Sequence, residues 1–122
     1  MTVENPKESV GATKVPLHLI PPVASEQMAL ALLSGAYNPD GTERYGPWNW
    51  RDAGINITTY VGAIKRHTDG IMAGEWIDPK SGHPHMAHIM AGAAIALDAE
   101  AHGMMNDDRP PIPRGPHAKL DT

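Results

Sequence analysis

Three histidines fall within six residues in the stretch HPHMAHIM, at His83, His85 and His88. His85 and His88 are three residues apart, so their rings would project from one face of a helix. Glu75 and Asp78 precede them at the same spacing, and the six residues between Asp78 and His85 are enough for a tight reversal. The carboxylates and imidazoles would then meet in one cleft. Such a mixed oxygen and nitrogen set suits Mg²⁺, Mn²⁺ or a similar divalent ion.

His67 is a further imidazole that could reach this cleft. With Tyr60, Ile64 and Ile71 it falls at i, i+4, i+7 and i+11, one stripe of an amphipathic helix. The inward stripe would direct its ring toward the packed neighbours. His83, which precedes Pro84 in the sequence, is expected to lie outside the helix and to point elsewhere.

Ordinary structural roles for these side chains stay open at this point. A histidine on an apolar stripe is more often a hydrogen-bonded core residue than a ligand. Two histidines three residues apart can be a surface pair, and carboxylates at a helix end are usually solvated or cap the following turn. The spacing therefore suggests a metal site without establishing one.

Two helices are predicted before the histidine stretch. The first covers residues 24–37, a run of good helix formers with Ser25 as its N-cap. The second begins at Thr58 or Thr59 and continues until Pro79, because the residue before a proline is pushed out of the helical region. This second helix would carry His67 and would end in the two carboxylates.

A third helix is predicted over residues 81–103, with Pro84 in its first turn and Gly103 at its terminating position. Its middle, AGAAIA, is smooth enough for another helix to pack very close. The fold class that follows is all-α.

Residues 38–56 are rich in turn-forming pairs, yet they contain Tyr45, Trp48 and Trp50. A loop with so many aromatic side chains is expected to be ordered. It is either a hydrophobic plug over the end of the bundle or a lid that stacks on a base, with Asn49 and Arg51 as polar contacts.

The flanking segments divide the chain into three parts. Residues 1–13 are polar and aperiodic, which predicts a flexible N-terminal arm, and residues 104–122 are predicted to be an extended, proline-rich tail. Between them lies one domain, residues 14–103. It opens with KVPLHLIPP, residues 14–22, which is predicted to be an extended strap over the core because prolines interrupt it.

The composition narrows the classes of function. Hydrophobic residues make up 41% of the 122, but there is no Phe, so the core is thin and at least a dimer is expected. Without cysteine the chain forms no disulfide or thiolate metal site. A net charge of −4 argues against a nucleic-acid polymer as partner. No signal peptide or membrane span is recognisable, which favours the cytoplasm and no membrane.

Four motifs extend this interpretation, namely ATKVPLHLIPP, RYGPWNWRDAG, YVGAIKRH and GEWIDPKSGHPHMAH. In order and spacing they resemble the mostly bacteriophage family of dATP/dGTP diphosphohydrolases, which is similar to the MazG-like all-α nucleotide pyrophosphohydrolases. The resemblance covers about residues 11–100. It implies a MazG-like helical bundle with an N-terminal strap and an ordered aromatic loop, assembled as a homodimer or tetramer.

The resemblance also implies an activity, the hydrolysis of a purine deoxynucleoside triphosphate with Mn²⁺ or Mg²⁺, and Co²⁺ as another candidate. The expected substrate is dGTP, with dATP as a second. The dGMP formed would supply 2-aminoadenine nucleotide synthesis for a phage in its host's cytoplasm.

The family pattern favours five metal-binding positions. MazG-like enzymes usually hold metal with acidic pairs, and here histidines take one pair's place; the ligands are expected to be His67, Glu75, Asp78, His85 and His88. Glu75 or Asp78 would act as the general base for water.

Substrate-binding residues are expected on the loop and around it. Tyr45, Asn49 and Trp50 are the candidates for enclosing the base. Lys14, Arg51 and Arg66 are available for the phosphates.

Two alternatives from other classes stay open. A phosphohydrolase of the His-Asp type needs a His-Asp dipeptide, whereas Thr68 follows His67. A non-enzymatic phage accessory or binding protein would use the two tails as docking arms.

Overall fold

The computed structural model describes residues 4–112. The chain is mainly helical, as predicted, with one very small parallel sheet. In chain order the elements are α1 (Pro6–Gly11), a 3₁₀ turn (Leu17–Leu19), α2 (Pro22–Ala36), α3 (Asn49–Ala53), β1 (Ile55–Asn56), α4 (Ile57–Met72), α5 (His85–Ala101) and β2 (Met105–Asn106).

Helix α5 lies at the centre and packs against both α2 and α4. Apart from His85, its buried residues are alanines, and Ala87 and Ala91 form one core cluster with Ala31 of α2. A methyl group at Gly92 would lie 3.4 Å from Ile64, so α4 and α5 approach closely at this point. The smooth AGAAIA segment therefore has the close helix packing that was expected.

A second core cluster forms where the aromatic loop meets α5. Trp50 and Ile55, each 8% exposed, pack with Ala99. They are the largest buried hydrophobic side chains in residues 4–112. The core is thin, as the absence of Phe predicts.

Helix α2 begins earlier than predicted. Pro22 is its first residue and Pro21 its N-cap, without a side-chain capping bond, so the assignment of Ser25 as N-cap is wrong. Proline fits the first helical position because its φ is already helical and its missing N–H has no partner to lose there.

Helix α4 ends earlier than predicted, at Met72 rather than near Pro79. Gly74 has a φ of +99°, its N–H donates to Ile71, and the N–H of Glu75 donates to Gly70 at 2.9 Å. This pair of bonds closes the helix as a Schellman motif. Glu75 and Asp78 therefore lie on the α4–α5 connection and not on a helix end.

Helix α5 begins at His85 with Pro84 as its N-cap, so Pro84 does not lie in the first turn. Its C-terminal end agrees with the prediction. The last helical residue is Ala101, and Gly103 follows with a φ of +70°.

The N-terminal segments differ from the sequence predictions. Within the predicted arm, residues Pro6–Gly11 form a helix that buries no side chain. The prediction that residues 14–22 cover the core of this chain is wrong, since Val15, Leu17 and Leu19 are 69–77% exposed. The N–H groups of Leu19 and Ile20 donate to the carbonyls of Pro16 and Leu17. Because these local hydrogen bonds fold the segment into a turn, it is not extended.

The first residues of the predicted tail belong to the folded unit. Met105 and Asn106 pair in parallel with Ile55 and Asn56, and the N–H of Thr58 donates to Asp108 at 3.0 Å. The predicted tail beyond residue 112 lies outside the described residues. Within residues 4–112 no helix has the length and apolar character needed to cross a membrane.

Candidate functional site

A tight hairpin connects α4 to α5 and folds Asp78 back toward the start of α5. The N–H of Asp78 donates to the carbonyl of His83, and the N–H of His85 donates to that of Trp76, both at 2.9 Å. Gly82 permits the turn with a φ of +77°. The reversal expected between Asp78 and His85 is therefore present, although it starts from a loop and not from a helix.

His67, Asp78 and His85 converge at this hairpin. The two Nδ1 atoms of His67 and His85 are 2.8 Å apart, and Asp78 Oδ2 lies 3.9 Å from His67 Nδ1. One ligand atom from each of the three residues lies within 4.8 Å of the others. We call these three residues the His–Asp–His cluster; it is the candidate metal centre.

Glu75 contacts the cluster from outside. Its Oε1 is 2.8 Å from His85 Nε2, the ring nitrogen on the side away from His67. If Nε2–H donates to the carboxylate, then His85 Nδ1 carries a lone pair, which can accept the Nδ1–H of His67 across the 2.8 Å contact or bind a metal ion. This is the arrangement in which an outer carboxylate orients a metal-binding histidine.

His88 lies beside the cluster. Its ring stacks on that of His67 with centroids 4.9 Å apart and planes at 10°, and its Nε2 is 2.6 Å from Ser81 Oγ and 3.9 Å from Asp78 Oδ2. His83 does lie outside the helix, but the prediction that it points elsewhere is wrong. The hairpin returns its ring to within 6.3 Å of His88, edge-on.

The surroundings favour neutral imidazoles. Burial lowers the pKa of His67 and of His88 below 6.5, and Asp78 only partly opposes this. Neutral rings keep the lone pairs that a metal ion needs. Near neutral pH the two histidines are therefore suited to be ligands.

Gly70 makes room for the His85 ring. A Cβ at this position of α4 would lie 2.9 Å from His85 Nε2 and 3.1 Å from its Cε1. Any side chain at this position would displace the imidazole. Gly70 therefore leaves the space that the His85 ring occupies in the cluster.

A cleft of about 960 Å³ connects this cluster with the aromatic loop. It is lined by α2, the loop, α4 and α5, and both His67 and His88 contribute to its wall. Of the candidates for enclosing a base, Tyr45, Asn49 and Trp50 all line it. Its size and largely apolar wall are typical of a small-molecule site.

Asp98 fixes the aromatic loop to α5. It accepts from Trp50 Nε1 at 2.8 Å and from Arg51 Nε and Nη2 at 2.9 Å each. The Arg51 and Trp50 hydrogen bonds hold the pKa of this carboxyl well below its usual value. Sequence reasoning missed Asp98, and because it lies 48 positions after Trp50 no local signal could have indicated it.

The predicted phosphate-binding cations lie away from the cleft wall. Lys14 and Arg66 are exposed, and neither they nor Arg51 line the cleft. Arg51 is engaged in the bidentate ion pair with Asp98. Arg66 adjoins the cluster in sequence, and its charge contributes to the lowered pKa of His67.

Comparison with known proteins adds two findings. Residues 4–109 match the model of the family described as dATP/dGTP diphosphohydrolase, N-terminal. A protein of Salmonella phage PMBT28 named dATP/dGTP diphosphohydrolase is 30% identical over 96 residues, which make up 79% of this chain but 30% of that protein. The chain thus spans less than a third of this relative's length. No solved structure matches.

Proposed function

Because this chain belongs to the dATP/dGTP diphosphohydrolase N-terminal family, we propose that it hydrolyses a purine deoxynucleoside triphosphate to the monophosphate with a divalent metal. For dGTP, this hydrolysis consumes one water and gives dGMP and pyrophosphate. The observation that carries this proposal is the His–Asp–His cluster, whose members converge beside a cleft of nucleotide size.

The residues of the cluster fit a divalent cation. Two imidazole nitrogens and one carboxylate oxygen lie within 4.8 Å of one another, and an outer carboxylate contacts His85 at 2.8 Å. Such a set suits Mn²⁺ and Co²⁺, while Mg²⁺ prefers oxygen. A bound cation would neutralise charge on the phosphates and make a water more acidic.

The two carboxylates have separate proposed roles. Asp78 holds the metal together with His67 and His85, and His88 supports it through Asp78 and Ser81. Glu75 orients His85 through Oε1, and its half-exposed side chain leaves Oε2 to take the proton of the attacking water. The sequence predicts both carboxylates as metal ligands and either one as the general base. In this proposal Asp78 is the ligand and Glu75 is the base.

The aromatic loop is the proposed base-binding element. Asn49 is half-buried and lines the cleft, and its amide can both donate and accept, so it can meet a purine edge. Tyr45 lines the same cleft. We propose dGTP as the preferred purine, with dATP second. We also propose a MazZ-like role, in which the dGMP formed enters 2-aminoadenine nucleotide synthesis in a phage.

The phosphates would meet Arg66, which is exposed and next to His67 in the sequence. Lys14, on the exposed N-terminal segment, is a second candidate. We assign Arg51 to holding the loop, since Asp98 already binds its guanidinium. The exposed apolar segment around Leu17 and Leu19 supports assembly into a dimer or tetramer of the MazG-like kind.

The test is an assay of all four dNTPs with Mn²⁺, Mg²⁺ or Co²⁺, with nucleoside, mono- and diphosphate, phosphate, pyrophosphate and tripolyphosphate resolved. We expect dGMP with pyrophosphate, faster for purines than for pyrimidines. His85→Ala and Asp78→Asn should abolish turnover and keep the helical circular dichroism. The control is His18→Ala, an exposed histidine outside the site.

Other outcomes would decide against the proposal. Nucleoside plus tripolyphosphate would indicate chemistry of the His-Asp type. Absence of turnover with every metal and every dNTP would favour an accessory or binding protein.

A further inference from the structure

We propose that Trp48, rather than Trp50, is the residue that stacks on the purine base. This assignment rests on the proposed purine nucleotide substrate and deepens it by naming the determinant of base binding. The observations concern the backbone of Trp48, the bonds that fix it, and the exposure of its ring.

The backbone of Trp48 is strained. Its φ of 61° and ψ of 21° place it in the left-handed helical region, and no other non-glycine residue in positions 4–112 has a positive φ. A bulky side chain rarely adopts this conformation, which persists only where the surrounding structure enforces it. A glycine here would relieve the strain at once, so the tryptophan is an unfavourable choice for folding alone.

Bonds on both sides of Trp48 enforce the strain. Before it, the N–H groups of Arg44 and Gly46 donate to the carbonyl of Ala36 at 2.9 and 3.1 Å, at the end of α2. After it, Trp50 and Arg51 are bound to Asp98 of α5. The loop is thus fixed to both walls of the cleft, and Trp48 is held between the two attachments.

The ring of Trp48 is supported yet accessible. The Arg51 guanidinium lies 4.5 Å from its centroid, and the Trp50 ring is tilted against it at 5.3 Å. It lines the cleft and remains 57% exposed. An aromatic ring held in place before binding loses little conformational freedom when a base stacks on it.

The other aromatic residues are less suited to this role. Trp50 is 8% exposed, packs against Ala99 and Ile55, and has its indole N–H bound to Asp98, so its ring belongs to the core. Tyr45 is exposed in the cleft, but its ring is smaller and its backbone has no positive φ. Trp76 is exposed and does not line the cleft.

The decisive variant is Trp48→Gly, which removes the ring and the strain together. We expect the Kd for α,β-methylene dGTP with Mn²⁺ to rise roughly 5- to 150-fold by calorimetry, the range expected for losing one base–aromatic stack. The Tm should stay the same or increase. Affinity for α,β-methylene dCTP should fall less, and Trp48→Tyr should restore part of the loss. Trp76→Phe is the matched control and should bind as the wild type does.

Three results would overturn the assignment. The first is an unchanged Kd in Trp48→Gly. The second is a lower Tm accompanied by a smaller sedimentation mass, since Trp48 would then be a subunit contact. The third is a wild type that binds no purine analogue. The proposed hydrolysis fails separately, if the wild type forms no monophosphate from any dNTP while still binding the analogue through Trp48.

Discussion

Glu75 Oε1 lies at hydrogen-bonding distance, 2.8 Å, from His85 Nε2, while Nδ1 of the same ring faces His67. Glu75→Gln should therefore weaken Mn²⁺ binding by about 10- to 100-fold, the usual cost of losing an outer carboxylate, and lower kcat as well. Asp78→Asn should abolish Mn²⁺ binding. Titration calorimetry of both variants measures the difference. Equal affinities in the two variants would contradict the separation of their roles.

Gly70 and Gly62 lie on the same helix and form a matched pair for substitution by alanine. At Gly62 a new Cβ would meet only Arg66 Nη1, at 3.5 Å, so Gly62→Ala should stabilise the fold by up to about 1 kcal/mol and leave metal binding unchanged. At Gly70 the same Cβ would collide with His85, so Gly70→Ala should weaken Mn²⁺ binding strongly. Urea unfolding and calorimetry provide the two readouts. Wild-type Mn²⁺ affinity in Gly70→Ala would show that the ring position does not matter.

The Asp98–Arg51 pair should make the stability depend on pH. The Arg51 and Trp50 hydrogen bonds depress the pKa of Asp98 in the fold from 3.8. Its contribution is therefore complete above about pH 4 and is lost as the pH falls further, because the unfolded chain then binds the proton first. Asp98→Asn should lower the Tm at neutral pH and flatten the Tm profile below about pH 4.

The control for this prediction is Asp107→Asn. Asp107 pairs with Arg109 two residues away, and this exposed pair lowers the pKa of Asp107 to about 2. Exposed local pairs contribute little to stability, so the Tm at neutral pH should hardly change. A loss as large as that of Asp98→Asn would show that the long-range attachment of the loop is unimportant.

Asn49 should contribute to purine selectivity. Asn49→Ala removes an amide that lines the cleft, and one lost neutral hydrogen bond costs on the order of 0.5–1.5 kcal/mol. We expect kcat/KM for dGTP to fall about three- to tenfold, with a smaller loss for dCTP. Parallel losses for all four dNTPs would instead assign Asn49 to the stability of the loop.

The exposed apolar N-terminal segment should form a subunit contact. Leu17 and Leu19 are each 69% exposed in one chain, and the core within residues 4–112 contains few large side chains. Sedimentation at micromolar concentration should show a dimer or tetramer, and Leu19→Glu should lower the mass. Thr13→Glu introduces the same charge on a neighbouring polar surface and should leave the mass unchanged. A stable monomer in the wild type would refute the assembly.

Local sequence determined most of the helices and the composition of the candidate metal site. The terminating Gly103 predicts where α5 ends, since this signal acts within a few residues. Gly74 is a local signal of the same kind, and it ends α4 before the chain reaches Pro79. The order and spacing of the four motifs are enough to indicate the family.

Tertiary structure decided which of those residues meet and what each one does. The hairpin made Glu75 an outer partner of His85 and brought Asp78 inside the cluster, a distinction that spacing cannot make. The sequence has no periodicity around Trp48 and Trp50 that would tell which of the two rings is buried. Asp98, 48 positions from Trp50, accepts its indole N–H, and that ring packs against Ala99 while Trp48 stays exposed. The pairing of Ile55 with Met105 is equally non-local, because a two-residue strand has no periodicity from which to predict it.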